Sequence, residues 1–254
     1  MWPIVVIALN TFRENLRDKI LYNLLFFALL LIAASVLLGN LTIAEQNKIM
    51  TDMGLAVINL VGVLLAIFVG IGLVSKELDR RTIYTIMARP LSRVQFILGK
   101  YVGLTLTLMV NLSIMLVGFL AALWINRAPI HAALLQAIGL VFIELLLVTA
   151  LALMFSTFSS STLSAMMTLG LYVIGHLTAD LKGIAEKTNS EGIKAVMTGL
   201  YYLCPNLEML NMKGQAAAGL TVAPSYLLIA SAYGLLYAAL AITIACVIFQ
   251  RRDF

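Results

Sequence analysis

The segment SKELDRRTIYTIMARPLSRVQFILGKY, residues 75–101, carries six of the seventeen lysine and arginine residues of the chain. The runs on either side of it, 53–75 and 101–126, contain no charged residue. An α-helix rises 1.5 Å per residue, so about 20 apolar residues cross the hydrocarbon core of a bilayer. Both runs are long enough, and the pattern predicts two membrane-spanning helices joined by a short, highly charged loop.

The overall composition supports a membrane protein. Apolar residues make up 62% of the 254 positions, charged residues make up 11%, and the mean hydropathy is +1.01. Soluble domains are typically about 25% charged. We therefore predict an all-α polytopic membrane protein in which residues 1–254 form a single transmembrane domain.

Six spans are predicted from the apolar runs. The cluster STFSSSTLS at 156–164 divides the stretch 132–179, which is largely apolar with Glu144 as its one charged residue, because Ser and Thr hydroxyls compete for backbone groups and favour turns and caps. Pro224 suits the first turn of the last helix. The predicted spans are 20–41, 53–75, 96–125, 132–155, 163–180 and 225–249.

Charge sets the predicted orientation. An even number of spans places both termini on one side, and eleven of the seventeen basic residues then share that side. The positive-inside rule makes it the cytoplasm. The loop 76–93 is accordingly predicted to be cytoplasmic, and the long loop 181–224 to lie outside.

Two further segments are predicted to be helical. In residues 1–19, Phe12 and Leu16 begin an apolar spacing of four that continues to Ile20, which favours an amphipathic helix in the cytoplasmic interface. The alternative is a cytoplasmic extension of the first span. In 181–224, apolar positions recur at helical intervals and predict a cap on the outer membrane surface. This cap would be a lid, a docking site for an outer partner, or a seal on the bundle.

The charged loop has its own local signals. Glu77 and Arg81 are four residues apart, a spacing that allows an ion pair on one helical face. Pro90 disfavours helical geometry at the residue before it, and Ser92 with a glutamine three residues on forms a capping box that opens the next helix. The loop is predicted to be a compact basic helix–turn–helix for docking a partner. The alternative is a topology signal that contacts anionic lipid headgroups.

This loop resembles the one between the second and third spans of type-2 ABC-transporter permeases. The shared pattern consists of Glu77, Thr-Ile at 82–83, Pro-Leu-Ser-Arg at 90–93 and Gly-Lys at 99–100. The resemblance extends to CPNLEMLN at 204–211 and is strongest with permeases associated with nitrous-oxide-reductase maturation and gliding motility. One departure is Arg81, where the family often has glycine.

The resemblance implies a coupling helix that fits a cleft on a separate ATP-binding subunit, which would hold ATP and Mg. The positions expected to contact that ATPase are Glu77, Arg81, Thr82, Arg89 and Arg93. The resemblance also implies a homodimer in a bacterial inner membrane, surrounded by lipid. We expect no nucleic-acid partner.

No catalytic machinery is evident in this chain. A phosphate-binding loop needs G-x-x-x-x-G-K-[S/T], but Val94 replaces the first glycine before Gly99-Lys100 and Tyr101 replaces the final hydroxyl residue. Two histidines are too few for a histidine-rich metal site. We expect no enzyme activity, cofactor or metal in this chain.

Three polar residues are predicted to lie at similar membrane depth. Counting along their spans, Asn111, Glu144 and His176 are about 16–18 Å from the cytoplasmic ends. They would form an intramembrane cluster that either joins helices or lines a path for a substrate or for protons.

Three functions remain open from these observations. The first is the permease subunit of an ATP-driven ABC transporter, and the second is a proton-coupled secondary transporter that uses Glu144. The third is a membrane scaffold that does not transport. The absence of a convincing internal repeat argues against the secondary transporter.

Overall fold

A computed structural model describes residues 2–40, 45–79, 92–178 and 190–251, together with positions 180, 183 and 188. Within these residues the chain forms α-helices, one 3₁₀ turn and their connections, which confirms the predicted all-α polytopic class. The elements are α1 (Trp2–Asn15), α2 (Lys19–Asn40), α3 (Gln46–Asp79), α4 (Arg93–Ile125), α5 (Ala132–Ser156), α6 (Ser161–His176), α7 (Glu191–Leu203), a 3₁₀ turn (Glu208–Leu210), α8 (Lys213–Ala217) and α9 (Pro224–Arg251).

Five of the described helices are long and apolar enough to cross a membrane. They are α2 over Lys19–Gly39, α3 over Gln46–Gly72, and α4, α5 and α9 over their whole lengths. The predicted span 163–180 overlaps α6, whose 16 residues extend only about 24 Å. Because the hydrocarbon core is about 30 Å thick, the sixth span stays a prediction.

Helix α5 is the centre of the bundle. It packs against α3, α4, α6, α8 and α9. In its most apolar stretch, 78% of the residues are buried within the protein. The corresponding share is 22% for α2, which lies at the periphery. A helix that is apolar on all sides has no polar face to present to water, so it suits this central position.

Glycines let α3 approach α5 closely. A Cβ atom at Gly62 would lie 2.8 Å from Leu145, and one at Gly70 would lie 3.0 Å from Ala152. Small residues at such positions bring helix backbones together, which is the main way that helices associate in a membrane. The order of these contacts shows that α3 and α5 run in the same direction.

The Ser/Thr cluster forms the short connection between α5 and α6 at the predicted place. Its hydroxyls bond to carbonyls at the end of α5, with Ser156 donating to Leu153 and Thr157 donating to Met154, both at 2.7 Å. The last carbonyls of a helix have no partner within the helix. These bonds allow Ser156 and Thr157 to be completely buried.

The predicted apolar face of residues 1–19 is not the face that the structure buries. Helix α1 ends at Asn15, and a turn precedes α2, in which the Asp18 carboxylate accepts a hydrogen bond from the Ile20 amide at 3.0 Å. The turn interrupts the spacing that joined Phe12 to Ile20. The interfacial position of the segment stays a prediction.

Helix α1 instead docks along α4 on a strip of small residues. A Cβ at Gly99 would lie 2.7 Å from the Cβ of Ile7, and one at Gly103 would lie 2.6 Å from the Ala8 carbonyl oxygen. One turn further on, the Asn15 amide donates to the Thr107 hydroxyl at 3.1 Å. Close backbone approach therefore determines which face of α1 is buried.

Candidate functional site

The start of α4 has the predicted capping box. The Ser92 hydroxyl accepts from the Gln95 amide at 3.2 Å, and the Gln95 side chain accepts from the Ser92 amide at 3.2 Å. Two donors that would lack helical partners are thereby satisfied. The predicted capping box at Ser92 is confirmed.

Arg93 ties the start of α4 to the end of α9. Its guanidinium donates to the carbonyl oxygens of Phe249 at 3.2 Å and Gln250 at 2.9 Å. A cation is favourable at a helix C-terminus, where carbonyls are unpaired and the helix dipole is negative. The rings of Phe96 and Phe249 stack beside this bond, with centroids 5.7 Å apart. Arg93 thus has a structural partner within the chain, and its expected contact with an ATPase stays a prediction.

The other expected docking positions lie mostly outside the described residues. This holds for Arg81, Thr82, Arg89 and the side chain of Glu77, whose backbone belongs to the last turn of α3. Lys100 is described, and it is only 2% exposed, with its ammonium 5.6 Å from the centre of the Phe96 ring. Both residues of the Gly-Lys pair are therefore packed within the protein, since Gly99 contacts α1 and Lys100 is buried beside an aromatic ring.

The structure brings together two of the three residues predicted to form the polar cluster. His176 Nε2 lies 2.8 Å from Glu144 Oε1, and the Glu144 side chain is completely buried. Asn111 is not bonded to either of them: its amide donates to the carbonyl of Thr107 in its own helix at 2.8 Å, and its side-chain oxygen has no hydrogen-bond partner among the described residues. Depth along a helix could be counted from the sequence, but the direction in which each side chain points could not.

A third member of the cluster was missed. Glu208, in the 3₁₀ turn of the long loop, places its Oε2 atom 3.3 Å from His176 Nδ1. The imidazole therefore lies between two carboxyl groups, one buried and one partly exposed. The one signal in the sequence was that Glu208 is the sole acidic residue of the motif CPNLEMLN. Nothing in the sequence shows that this motif folds back onto the bundle.

Residues 204–212, the return segment, are anchored against the bundle by several bonds. The Leu207 amide donates to the Gly175 carbonyl at 3.0 Å. The Asn206 amide donates to the Tyr233 hydroxyl at 2.8 Å. Leu207 and Leu210 are completely buried. The return segment is thus part of the core, which fits the predicted possibility that the loop seals the bundle.

Helix α7, in the same long loop, is different. None of its residues is buried, and Ile193, Val196 and Leu203 are among its exposed apolar side chains. The helical prediction for this part of the loop is confirmed by the structure. The lid and the outer docking site stay predictions.

Two more polar side chains adjoin the cluster. The Tyr172 ring packs edge-on against the His176 ring, with centroids 4.7 Å apart, and its phenol lies close to Asn59 and Glu144. Asn59 is 1% exposed, and neither its amide nitrogen nor its oxygen has a hydrogen-bond partner of ordinary geometry. The second oxygen of Glu144 is also unpartnered. These polar atoms, on α3 and α5, are therefore buried beside the cluster without hydrogen bonds of ordinary geometry.

Among the described residues, no group of three or more His, Cys, Asp or Glu side chains is arranged to hold a metal ion. The two cysteines, Cys204 and Cys246, are both buried and are not bonded to each other. The donor set at His176 consists of two carboxyl groups and one imidazole that already contact one another.

Residues 5–254 match a family described as "ABC-2 family transporter protein". The chain belongs to the ABC-2 transporter family. The match covers nearly the whole chain, so it agrees with the resemblance found in the charged loop and shows that this ABC-2 protein is a transmembrane subunit of an ABC transporter. A comparison with curated proteins gives no match.

Proposed function

We propose that this ABC-2 protein is a permease that dimerises and couples ATP hydrolysis by a separate subunit to export or to force transmission across a membrane. Family membership implies an ABC ATP-binding partner. The partner would bind ATP and Mg, since the one Gly-Lys pair that resembles a phosphate-binding loop departs from the required pattern. Docking through 76–93 is the central element of the proposal.

The observation that carries the proposal is the bond between Arg93 and the end of α9. The charged loop follows α3, which has 34 residues, and precedes α4, which has 33. A displacement of the loop therefore acts directly on two long helices. Through Arg93 and the Phe96–Phe249 stack, it also acts on a third.

These three helices all pack against α5. A rigid element displaced at one end shifts its packed neighbours, because close-packed side chains transmit strain. A partner that moved the two loops of a dimer would consequently reposition α3, α4 and α9 around the central helix of each copy. This gives the charged loop a mechanical connection to the bundle, which a topology signal alone would not need.

The docking surface is proposed to comprise Glu77, Arg81, Thr82 and Arg89. Arg93 is proposed to transmit motion from that surface to α9, and this separates its role from the other four. Charged groups at the rim of an interface mainly set specificity and association rate, while desolvated ones set affinity. Reversing the charge of Glu77 or Arg89 should therefore weaken the complex.

The test is affinity purification from native membranes in mild detergent, followed by mass spectrometry. A soluble ATPase with a phosphate-binding loop should co-purify with the wild type, and Glu77→Lys or Arg89→Glu should reduce its recovery. Lys194→Glu in α7 is the matched charge reversal, and it should leave recovery unchanged. Two differently tagged copies should also co-purify. Equal ATPase recovery with all three variants would refute docking through 76–93.

A further outcome separates the permease from a scaffold. If Arg93→Ala keeps the ATPase bound but lowers the stimulation of ATP hydrolysis by the membrane subunit, transmission through α9 is supported. If every loop variant loses the partner without any change in ATP-dependent activity, the scaffold becomes the better account.

A further inference from the structure

We propose that Glu144, His176 and Glu208 form a proton-operated latch that fastens the return segment to the bundle. The ligand is a proton taken from water on the predicted outer side. The proposal does not rest on ATPase docking, because the three residues lie on α5, on α6 and in the long loop.

Counting donors shows why the latch needs a proton. Both ring nitrogens of His176 face carboxyl oxygens, at 2.8 Å for Glu144 and 3.3 Å for Glu208. An ionised carboxylate only accepts hydrogen bonds, and a neutral imidazole has one N–H group. With two carboxylates and a neutral imidazole, one of the two contacts would therefore set two acceptors against each other.

Both contacts become hydrogen bonds when the three groups share one additional proton. The proton resides on the imidazole or on the buried carboxyl group, and the number of hydrogen bonds is the same in both cases. Proton exchange changes only an N–H or O–H bond, with water as donor and acceptor. The closed arrangement seen here is therefore the proton-bound form.

Burial defines the route by which the proton arrives. The Glu144 side chain is 0% exposed, the His176 side chain 18%, and the Glu208 side chain 44%. A proton from solution reaches Glu144 through His176, after passing the exposed carboxyl group. Glu144 is thereby coupled to the solution that the return segment faces.

The His176–Glu208 contact is the one expected to break when the proton is lost. Asn211 donates to both Glu208 oxygens, at 3.0 and 3.1 Å, so the carboxyl group is held in place with or without the proton. The other groups that act on the cluster are Tyr172 on α6 and Lys213 at the start of α8. The Lys213 charge opposes an imidazolium, so it does not replace the missing proton.

Losing the proton is expected to loosen the return segment without detaching it. The Leu207 and Asn206 amides keep their bonds to Gly175 and Tyr233, because none of these groups changes protonation near neutral pH. The expected change is local opening around Glu208. Local openings of this kind are measured by amide hydrogen exchange.

The experiment is hydrogen–deuterium exchange of the full chain in lipid nanodiscs at about pH 6 and about pH 9, which bracket the titration of an ordinary histidine. After correction for the intrinsic pH dependence of exchange, amides in 204–212 should exchange roughly tenfold faster at the higher pH, the effect of losing one charge-assisted hydrogen bond. A wild-type segment with equal protection at both pH values would overturn the proposal.

Two substitutions should have opposite effects. His176→Gln removes the bridging ring, so fast exchange is expected at both pH values. In Glu208→Gln, the new amide donates to a neutral imidazole without any additional proton, so slow exchange is expected at both pH values. If His176 and Glu208 had purely structural roles, both substitutions would instead make exchange faster.

His131→Gln is the control, since it removes the only other histidine and should keep the wild-type pH response. A response that survives His176→Gln or disappears in His131→Gln would overturn the latch. If His176→Gln does not fold, Glu208→Gln still decides: continued pH dependence in that variant contradicts the proposal.

Discussion

Replacing Gly103 with alanine tests whether α1 docks on α4 as the structure shows. The new Cβ would lie 2.6 Å from the Ala8 carbonyl oxygen and 2.7 Å from the Thr11 Cβ. The carbonyl is part of a helix backbone and cannot rotate away, so α1 must shift. Adding a methyl group to a well-packed contact typically costs about 1–3 kcal/mol.

An opposing contribution has to be subtracted. Alanine is favoured over glycine inside a helix by roughly 0.5–1 kcal/mol. Gly139→Ala in α5 isolates this contribution, because a Cβ there meets nothing within 4 Å. The difference in unfolding free energy between the two variants therefore reports the clash alone, which we expect to be about 1–3 kcal/mol. Gly99→Ala should also be less stable than Gly139→Ala, since its Cβ would lie 2.7 Å from the Ile7 Cβ, which no change of rotamer can move.

The assay is unfolding of the purified protein in mixed micelles with increasing SDS, followed by circular dichroism. The chain has two tryptophans, Trp2 in α1 and Trp124 in α4, so a Trp124→Phe background makes fluorescence specific to α1. In Gly103→Ala the fluorescence transition should occur at lower SDS than in Gly139→Ala. Coincident transitions in these two variants would refute the docking of α1 on α4.

Two other predictions concern the remaining contacts. Arg93→Ala should remove about 1–2 kcal/mol of local stability from the end of α9, giving roughly 5–30-fold faster amide exchange over 245–251. Arg13→Ala, on the exposed side of α1, should leave that exchange unchanged. Unchanged protection in Arg93→Ala would contradict a stabilising bond between Arg93 and α9. Burial raises the pKa of the Cys204 thiol, and the thiolate is the reactive form. In a Cys246→Ala background, maleimide should therefore label Cys204 slowly at neutral pH and faster as the pH rises. A cysteine introduced at the more exposed position by Tyr202→Cys should react readily. Equal labelling rates of the two cysteines at neutral pH would show that Cys204 is accessible.

The sequence by itself determined most of the long apolar helices and where they end. Four of the predicted spans begin and end within a few residues of α2, α4, α5 and α9. The capping box at Ser92 and the hydroxyl-rich connection at 156–164 also lie where they were predicted. These features depend on apolar length and on groups within a few residues of one another, so a contiguous stretch contains all the information.

Only the tertiary structure decided which distant residues meet. Asn15 and Thr107 are 92 positions apart, Arg93 and Phe249 are 156 apart, and His176 and Glu208 are 32 apart. Each pair depends on how helices rotate and approach as they pack, and a rotation of about 100°, the step of one residue, would point the side chain elsewhere. For this reason the predicted cluster included Asn111, whereas the structure places Glu208 beside His176. Helix length is a local property of the chain, whereas the partner of a buried polar group is set by the packing of the whole bundle.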